Sequence, residues 1–267
     1  MLTFWRDEYP LNAYIKRYPK PYVALIDGIV MGGGVGVSVN GSHRVAGDRF
    51  AFAMPEVGIG FFPDVGATWF LPRLPGELGT WCALTGDRLK TADALAASIA
   101  THHVRSERFA DLIDALCGNV SVDATLAAFA EPAGDGPMKS KRDIIDRVFA
   151  GGEVAGVLDG LDQETGEHAE WAHATAATIR TKSPVSLKIA LQQVRRGKGW
   201  SFENCMRYEF RIVSRVVYGH DFYEGVRAVI VDKDNAPCWE PAALRDISDA
   251  DIERHFASLG ADELVLS

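Results

Sequence analysis

The chain has 267 residues, of which 47% are apolar and 24% are charged, so it is long enough to bury a sizeable core without disulfides or metals. A formal net charge of −8, with no basic run to offset it, argues against broad nucleic-acid binding. The longest apolar stretches, such as residues 22–31, are about half the roughly 20 residues that a membrane span needs, so we expect no membrane insertion.

The first third of the chain alternates predicted strands and helices. Residues 22–26 form a short apolar run, which is typical of a buried strand. The glycine triplet 32–34 follows, and residues from Val35 to Val39 are predicted to be the start of a helix. Residues 43–46 and 50–53 predict a second pair of strands.

A loop rich in glycine and proline is predicted from Glu56 to Gly66, and Thr68 begins another helix. Beyond position 105 the sequence is mostly helical in pattern, and we see no catalytic motif in it. Ser183 and Pro184 predict the start of a helix that continues to Arg196, and a longer helix should end before Gly219.

The four cysteines are far apart and form no C-x-x-C pair, which predicts core thiols in a reducing compartment. The acidic residues and histidines lack metal-ligand spacing, so we expect no metal. His102, His103 and His220 are interpreted as structural residues.

The glycine triplet 32–34 is the first candidate site. Glycine lets a backbone approach a ligand closely, and N–H groups at the start of a helix can hold a developing negative charge. An oxyanion formed from a thioester carbonyl is one such charge. The alternative interpretation is a tight turn where a strand and a helix touch.

Glu56 and Asp64 are the second candidate, and the turn-forming residues between them allow the chain to fold back on itself. Apolar neighbours should raise the pKa of Glu56, whereas Asp64 follows Pro63 and should lie in the first turn of a helix, which favours the anion. Carboxyl groups whose pKa values are pushed apart often serve as an acid and a base. The alternative is a solvated glutamate and a helix-capping aspartate. Glu8 alone is consistent with an exposed residue on an amphipathic helix.

These motifs together resemble those of a known family. The segment from Lys20 to Gly36 resembles the oxyanion-hole segment of the crotonase (enoyl-CoA hydratase/isomerase) superfamily. The segments 52–75 and 218–234 resemble its 3-hydroxyisobutyryl-CoA hydrolase branch. The resemblance implies an α/β fold: a crotonase-like spiral core in residues 1–105 and a mostly helical region in residues 106–267.

The resemblance also implies roles for individual residues. Gly33 matches the position whose backbone N–H helps to form the oxyanion hole, and Glu56 matches the catalytic carboxylate. Asp64 and Glu8 match positions that line the acyl pocket, where they would address the 3-hydroxyl group and the attacking water. The implied reaction is hydrolysis of a short branched 3-hydroxyacyl-CoA, as in valine catabolism, with coenzyme A as part of the substrate and no other cofactor.

One position separates a hydrolase from a hydratase. Enoyl-CoA hydratases resemble this segment but carry a second catalytic glutamate where this chain has Gly36. Hydration needs two groups, one for water and one for the α-proton, so the sequence favours a hydrolase. Glu56 would then either attack the thioester to form a mixed anhydride or act as a general base on water. An enoyl-CoA hydratase or isomerase and a non-catalytic acyl-CoA-binding subunit remain as alternatives.

Relatives of this kind usually have a further segment before the position that matches Met1, including a loop with the other oxyanion N–H. The chain is therefore expected to be a fragment, or else a degraded member of the family. The resemblance also implies a homo-oligomer, a trimer or a hexamer, in the cytoplasm or, in a eukaryote, in the mitochondrial matrix.

Overall fold

The computed structural model describes residues 2–266. The α-helices in this range, labelled α1 to α14 in chain order, span Thr3–Arg17, Gly33–Gly36, Ala67–Phe70, Leu78–Thr85, Thr91–Ala96, Phe109–Leu116, Val122–Phe129, Arg142–Val148, Val154–Asp162, Ala169–Arg180, Pro184–Gly197, Phe202–Val216, His220–Val226 and Asp249–Phe256. The strands, labelled β1 to β6, span Val23–Ile26, Ile29–Val30, His43–Ala46, Ala51–Phe52, Leu89–Lys90 and His102–His103. The chain also contains single-turn 3₁₀ helices, among them Glu56–Ile59.

The strands form two three-stranded sheets, ordered β1-β3-β6 and β2-β4-β5. β1 pairs in parallel with β3, so that Val23 lies opposite His43, and β2 pairs in parallel with β4. Strands that follow one another in the chain, β1 and β2, then β3 and β4, then β5 and β6, each place one strand in each sheet. This arrangement is the spiral that the resemblance implied. The strands predicted at 22–26, 43–46 and 50–53 are confirmed.

The helices beside the glycine-rich segments are shorter than the sequence indicated. The helix predicted from Val35 to Val39 begins at Gly33 and ends at Gly36. The helix predicted from Thr68 begins at Ala67 and lasts one turn. Glycine has a low helix propensity, which limits α2, whereas α3 passes at Leu71 into a 3₁₀ turn that contains Pro72.

The C-terminal helices agree more closely with the sequence. The Ser183 hydroxyl accepts a hydrogen bond from the Ser186 amide at 3.1 Å, and Pro184 is the first residue of α11, as predicted. α12 carries a nearly continuous apolar face, which it buries against α1, α3 and α14. It ends at Val216, before Gly219, which confirms the predicted boundary.

The turn that begins at Glu56 packs directly against the backbone of α13. A Cβ atom at Gly60 would lie 2.0 Å from the carbonyl oxygen of Asp221, and one at Gly225 would lie 2.3 Å from the carbonyl carbon of Ile59. The two backbones can approach this closely only because both positions are glycine. Residues near the C-terminus therefore support the loop that carries Glu56.

The main hydrophobic core contains residues from Tyr9 to Leu264, drawn from both sides of position 105, so the division at that position stays a prediction. Cys82 and Cys205 are buried as predicted, but Cys117 and Cys238 are exposed, so the expectation of core thiols is wrong for these two. Over residues 2–266, every helix is too short or too polar to cross a lipid bilayer.

Candidate active site

The glycine triplet joins β2 to α2 through an unusual backbone conformation. Gly32 has φ of 53° and ψ of −134°, a region that residues with a side chain rarely adopt. Because α2 begins at the next residue, no carbonyl group of that helix can accept the backbone N–H of Gly33. This N–H is a donor of the kind that can hold a developing oxyanion.

Glu56 lies beside this triplet and is buried, with 6% of its surface exposed. Burial raises its pKa to about 8, and hydrogen bonds from the backbone amides of Glu56 and Gly32 oppose that rise. Its Oε2 atom has no hydrogen-bond partner within residues 2–266. The Gly32 contact places the carboxyl group one residue from Gly33, so the predicted desolvated glutamate beside the triplet is confirmed.

Asp64 is also buried, but its local structure differs from the prediction. It lies three residues before α3, and its carbonyl oxygen accepts a hydrogen bond from the Ala67 amide at 3.0 Å. Its side chain accepts a 2.9 Å hydrogen bond from the Tyr9 hydroxyl. Asp64 is therefore held by a side chain of α1 and not by the first turn of a helix.

The pKa of Asp64 is well above its ordinary range. Burial is the largest cause, followed by the charges of Glu56, Glu209 and Glu8, whereas the hydrogen bond from Tyr9 opposes the rise. The prediction that Asp64 is a stabilised anion whose pKa departs from that of Glu56 is wrong. Both pKa values are raised because both carboxyl groups are buried, and at Asp64 the neighbouring acidic charges raise the pKa further.

Glu8 completes the set that the resemblance implied. It lies on α1 and is half-buried, and burial raises its pKa. A Cβ atom on Gly33 would lie 3.1 Å from Oε1 of Glu8, so the carboxyl group packs against the triplet. The interpretation of Glu8 as an exposed surface residue is therefore wrong, and the structure brings Glu8, Gly33, Glu56 and Asp64 together.

Two buried side chains of the C-terminal helices hold the loop that carries Asp64. Glu209 of α12 accepts hydrogen bonds from the amides of Gly66 and Thr68, both at 2.9 Å. Gln193 of α11 donates to the Pro63 carbonyl at 3.0 Å and to the Thr68 hydroxyl at 2.8 Å. Burial also raises the pKa of Glu209, to about 7.

The same loop contains a strained residue. Val65 has φ of 52°, which is rare for a β-branched residue and costs on the order of 1–3 kcal/mol. Asn40 donates hydrogen bonds of 3.0 Å to the carbonyl groups of Val65 and Gly36. The contacts made by Asn40, Gln193 and Glu209 fix the strained backbone and therefore the position of Asp64.

The sequence analysis missed these supporting residues, although a signal was present. Glu209 lies three residues after Met206 and four before Val213, so it falls on the apolar face of α12. Tyr9 and Asn12 likewise fall on the buried face of α1. A polar residue inside an apolar stripe must find a buried partner or a ligand, and each of these positions could have been identified in that way.

Little space surrounds Gly36, the position where enoyl-CoA hydratases carry their second catalytic glutamate. A Cβ atom there would lie 2.8 Å from Nδ2 of Asn12 and 2.9 Å from Cβ of Val65. Such distances are shorter than van der Waals contact, so no larger side chain fits without movement of its neighbours. A glutamate at this position would require both neighbours to shift.

A cleft of about 480 Å³ lies between α9, α11 and α14, but Glu8, Glu56 and Asp64 do not line it. Within residues 2–266 there is no cluster of three or more His, Cys, Asp or Glu side chains arranged to hold a metal ion.

Comparison with protein families gives a match over residues 2–256 to a family described as "Enoyl-CoA hydratase/isomerase". A mitochondrial 3-hydroxyisobutyryl-CoA hydrolase of Danio rerio is 42% identical over 274 residues, which cover 99% of this chain and 71% of that protein. The Homo sapiens protein of the same name is 42% identical over 98% of this chain and 70% of its own length.

Two solved structures have similar folds. The protein described as a carnitinyl-CoA dehydratase from Mycobacterium thermoresistibile has a TM-score of 0.93 and is 43% identical, with 99% of this chain and 75% of that chain covered. The protein described as an enoyl-CoA hydratase from Rhodobacter sphaeroides has a TM-score of 0.91 and is 34% identical, with 99% and 76% covered.

Proposed function

The chain belongs to the enoyl-CoA hydratase/isomerase family, and on that premise we propose that it hydrolyses the thioester of 3-hydroxyisobutyryl-CoA. The products are 3-hydroxyisobutyrate and coenzyme A, which places the reaction in valine catabolism. The relatives named as hydrolases of this thioester match 97–99% of the chain, so the likeness includes the active-site loops and the C-terminal helices.

The observation that carries this proposal is that Glu56 is buried beside the glycine triplet, while position 36 has no room for a second carboxyl group. Glu56 accepts a hydrogen bond from the Gly32 amide, one residue before Gly33, whereas the space beside Gly36 is filled by Asn12 and Val65. Hydrolysis of a thioester needs one carboxyl group and an oxyanion donor. Hydration of a double bond needs a second acid–base group, and no side chain at position 36 can supply it.

In the proposed mechanism, the backbone N–H of Gly33 holds the thioester oxygen as it gains negative charge. One such donor contributes about 2.7–4 kcal/mol to the stability of a transition state. Glu56 either attacks the thioester carbon to give a mixed anhydride, which water then hydrolyses, or takes a proton from the attacking water. In both routes the C–S bond breaks and coenzyme A leaves as a thiol after it gains a proton.

Asp64 and Glu8 would line the acyl pocket and address the 3-hydroxyl group and the attacking water. Their positions in the buried acidic cluster support this role, because Glu8 contacts Gly33 and the charge of Glu56 is close enough to raise the pKa of Asp64. Burial raises both pKa values, because it disfavours the charged form of each group.

A thiol-release assay with 3-hydroxyisobutyryl-CoA tests the function, with Glu56→Gln as the matched variant. Release by the wild type and its loss in Glu56→Gln support the hydrolase. Single-turnover labelling in heavy-oxygen water then separates the two routes, since only the anhydride route transfers the isotope into Glu56.

The descriptions of the two solved structures favour a hydratase or dehydratase as a second candidate. Consumption of an enoyl-CoA without thiol release would support that candidate and contradict the hydrolase. Binding of both thioesters without any turnover would indicate a non-catalytic acyl-CoA-binding subunit.

We also propose that the protein forms a homo-oligomer, a trimer or a hexamer, and needs no cofactor besides the coenzyme A of its substrate. Exposed apolar side chains at Tyr218, Ile230 and Val231 support an interface in the C-terminal region. The relatives named as mitochondrial support a matrix location in a eukaryote, with the cytoplasm as the bacterial counterpart. Light scattering coupled to size-exclusion chromatography tests the proposed assembly.

A further inference from the structure

Asn12 is a fully buried side chain whose polar atoms lack partners. Its exposed fraction is 0%, and neither Nδ2 nor Oδ1 makes a hydrogen bond within residues 2–266. Buried amides are almost always paired, because an unpaired donor or acceptor loses its hydrogen bonds to water without replacement. An unpaired amide beside an active site therefore points to a group that arrives with the substrate.

Asn12 lies on the face of α1 that forms the site. It follows Glu8 by four residues and Tyr9 by three, and such spacing places all three side chains on one side of a helix. Glu8 packs against Gly33, and Asn12 packs one helical turn further along against Gly36. Glu8 is half-buried and Asn12 is fully buried, so Glu8 lies nearer the surface than Asn12.

The position of the Asn12 amide indicates which part of the substrate it meets. The amide lies 2.8 Å from the point where a Cβ atom at residue 36 would be, so it fills the space of the second glutamate of a hydratase. Hydration adds the oxygen of water to C3 of an enoyl thioester and a proton to C2, so the two carboxyl groups of a hydratase must lie beside these carbons. The substrate proposed for this chain already carries an oxygen on C3.

We propose that Asn12 hydrogen-bonds to the 3-hydroxyl group of the acyl chain and is a specificity-determining residue for 3-hydroxyacyl thioesters. The proposal rests on the hydrolase function proposed above. A hydroxyl group donates one hydrogen bond and accepts others, so it can satisfy both Oδ1 and Nδ2 of the amide. Unlike a carboxyl group, the amide does not exchange a proton with the substrate at neutral pH. It therefore holds the hydroxyl group without promoting the elimination of water.

The test is the substrate preference of Asn12→Leu, which keeps a similar volume but has no hydrogen-bonding atoms. We expect kcat/KM for 3-hydroxyisobutyryl-CoA to fall by at least about tenfold, and kcat/KM for isobutyryl-CoA, which lacks the hydroxyl group, to change by less than about threefold. Without substrate, the variant should have a Tm equal to or above that of the wild type, because an unpaired buried amide has been removed.

Asn40→Leu is the matched control, since Asn40 is buried in the same region but its amide donates to the carbonyl groups of Gly36 and Val65. We expect this control to lower Tm and to reduce kcat/KM by the same factor for both thioesters. An equal reduction in Asn12→Leu, or an unchanged preference, would overturn the proposal. If Asn12→Leu does not fold, Asn12→Ala provides the same comparison.

Failure of the proposed function is distinguishable from failure of this inference. If the wild type releases no thiol from either thioester, the hydrolase function is wrong. The ratio of calorimetric Kd values for the two thioesters, which requires no turnover, then decides the role of Asn12. A wild-type preference for the hydroxylated thioester that disappears in Asn12→Leu supports the inference, and equal ratios contradict it.

Discussion

The hydroxyl group of Tyr9 donates a 2.9 Å hydrogen bond to Oδ2 of Asp64, although the two residues are 55 positions apart in the chain. This contact joins α1 to the loop before α3 and is buried. Burial and the nearby charges of Asp64 and Glu209 raise the pKa of Tyr9 well above its usual value, so its hydroxyl remains a donor over the working pH range. Tyr9 therefore stabilises the charged form of Asp64.

Tyr9→Phe should reduce kcat/KM at neutral pH by about tenfold, because the buried hydrogen bond to the Asp64 carboxyl group is lost. The pKa of Asp64 should rise further, which would move the pH dependence of kcat/KM to higher pH. Tyr14→Phe is the control, since Tyr14 lies on the same helix with 58% of its surface exposed. A Tyr9→Phe variant with an unchanged pH profile would contradict this role.

The activity should rise with pH up to about 8. Both routes of hydrolysis need Glu56 as a carboxylate, and burial raises its pKa to about 8, so most of the free protein carries a protonated Glu56 at neutral pH. We expect kcat/KM to increase about tenfold per pH unit below this value and to level above it. A profile that is flat between pH 6 and 9, after subtraction of the Glu56→Gln background, would exclude Glu56 as the base or nucleophile.

The burial of Glu56 also predicts a pH-dependent stability. A carboxyl group with a pKa of about 8 in the folded state and an ordinary value of 4.5 in the unfolded state keeps its proton longer in the folded state. Its contribution to stability is therefore present below about pH 4.5 and is lost as pH rises to 8. The slope is at most about 1.4 kcal/mol per pH unit for each such group.

Glu56→Gln should accordingly reduce the loss of stability between pH 5 and 8, as measured by urea unfolding at several pH values. Glu170→Gln, at an exposed position of α10, should leave the pH dependence as it is. Equal slopes for the wild type and Glu56→Gln would mean that Glu56 is ionised in the folded protein at neutral pH.

Gly36→Ala should destabilise the protein by about 1–3 kcal/mol, because the added methyl group would overlap with Asn12 and Val65. Gly34→Ala provides the comparison, since a Cβ atom there would meet Val30 at an ordinary distance of 3.6 Å. Thermal unfolding of both variants measures the difference. We also expect Gly36→Glu to gain no hydratase activity, and rapid hydration of an enoyl-CoA by that variant would refute our account of this position.

Much of the spiral core could be predicted from the sequence because its signals are local. The apolar run 22–26 and the Ser183 cap of α11 depend on neighbouring residues, and both match the structure. The sequence predicts a desolvated Glu56 for the same reason, since apolar residues surround it in the chain.

The errors concern contacts between distant parts of the chain. The pKa of Asp64 depends on Tyr9, Glu8 and Glu209, none of which lies near it in the sequence. The predicted helix start after Pro63 was replaced by a strained turn at Val65, which Asn40 and helices more than a hundred residues away hold in place. No pattern within a short window contains this information.

The glycine-to-backbone contact between the Glu56 turn and α13 has a practical consequence for shortened forms of the protein. The turn rests on the backbone of residues 221–225. A version cut before residue 220 would keep Glu8, Gly33, Glu56 and Asp64. It would lose the backbone segment that packs against the turn carrying Glu56. The C-terminal helices thus support the active-site turn. Proteolytic removal of that end should abolish activity although every proposed active-site residue is retained.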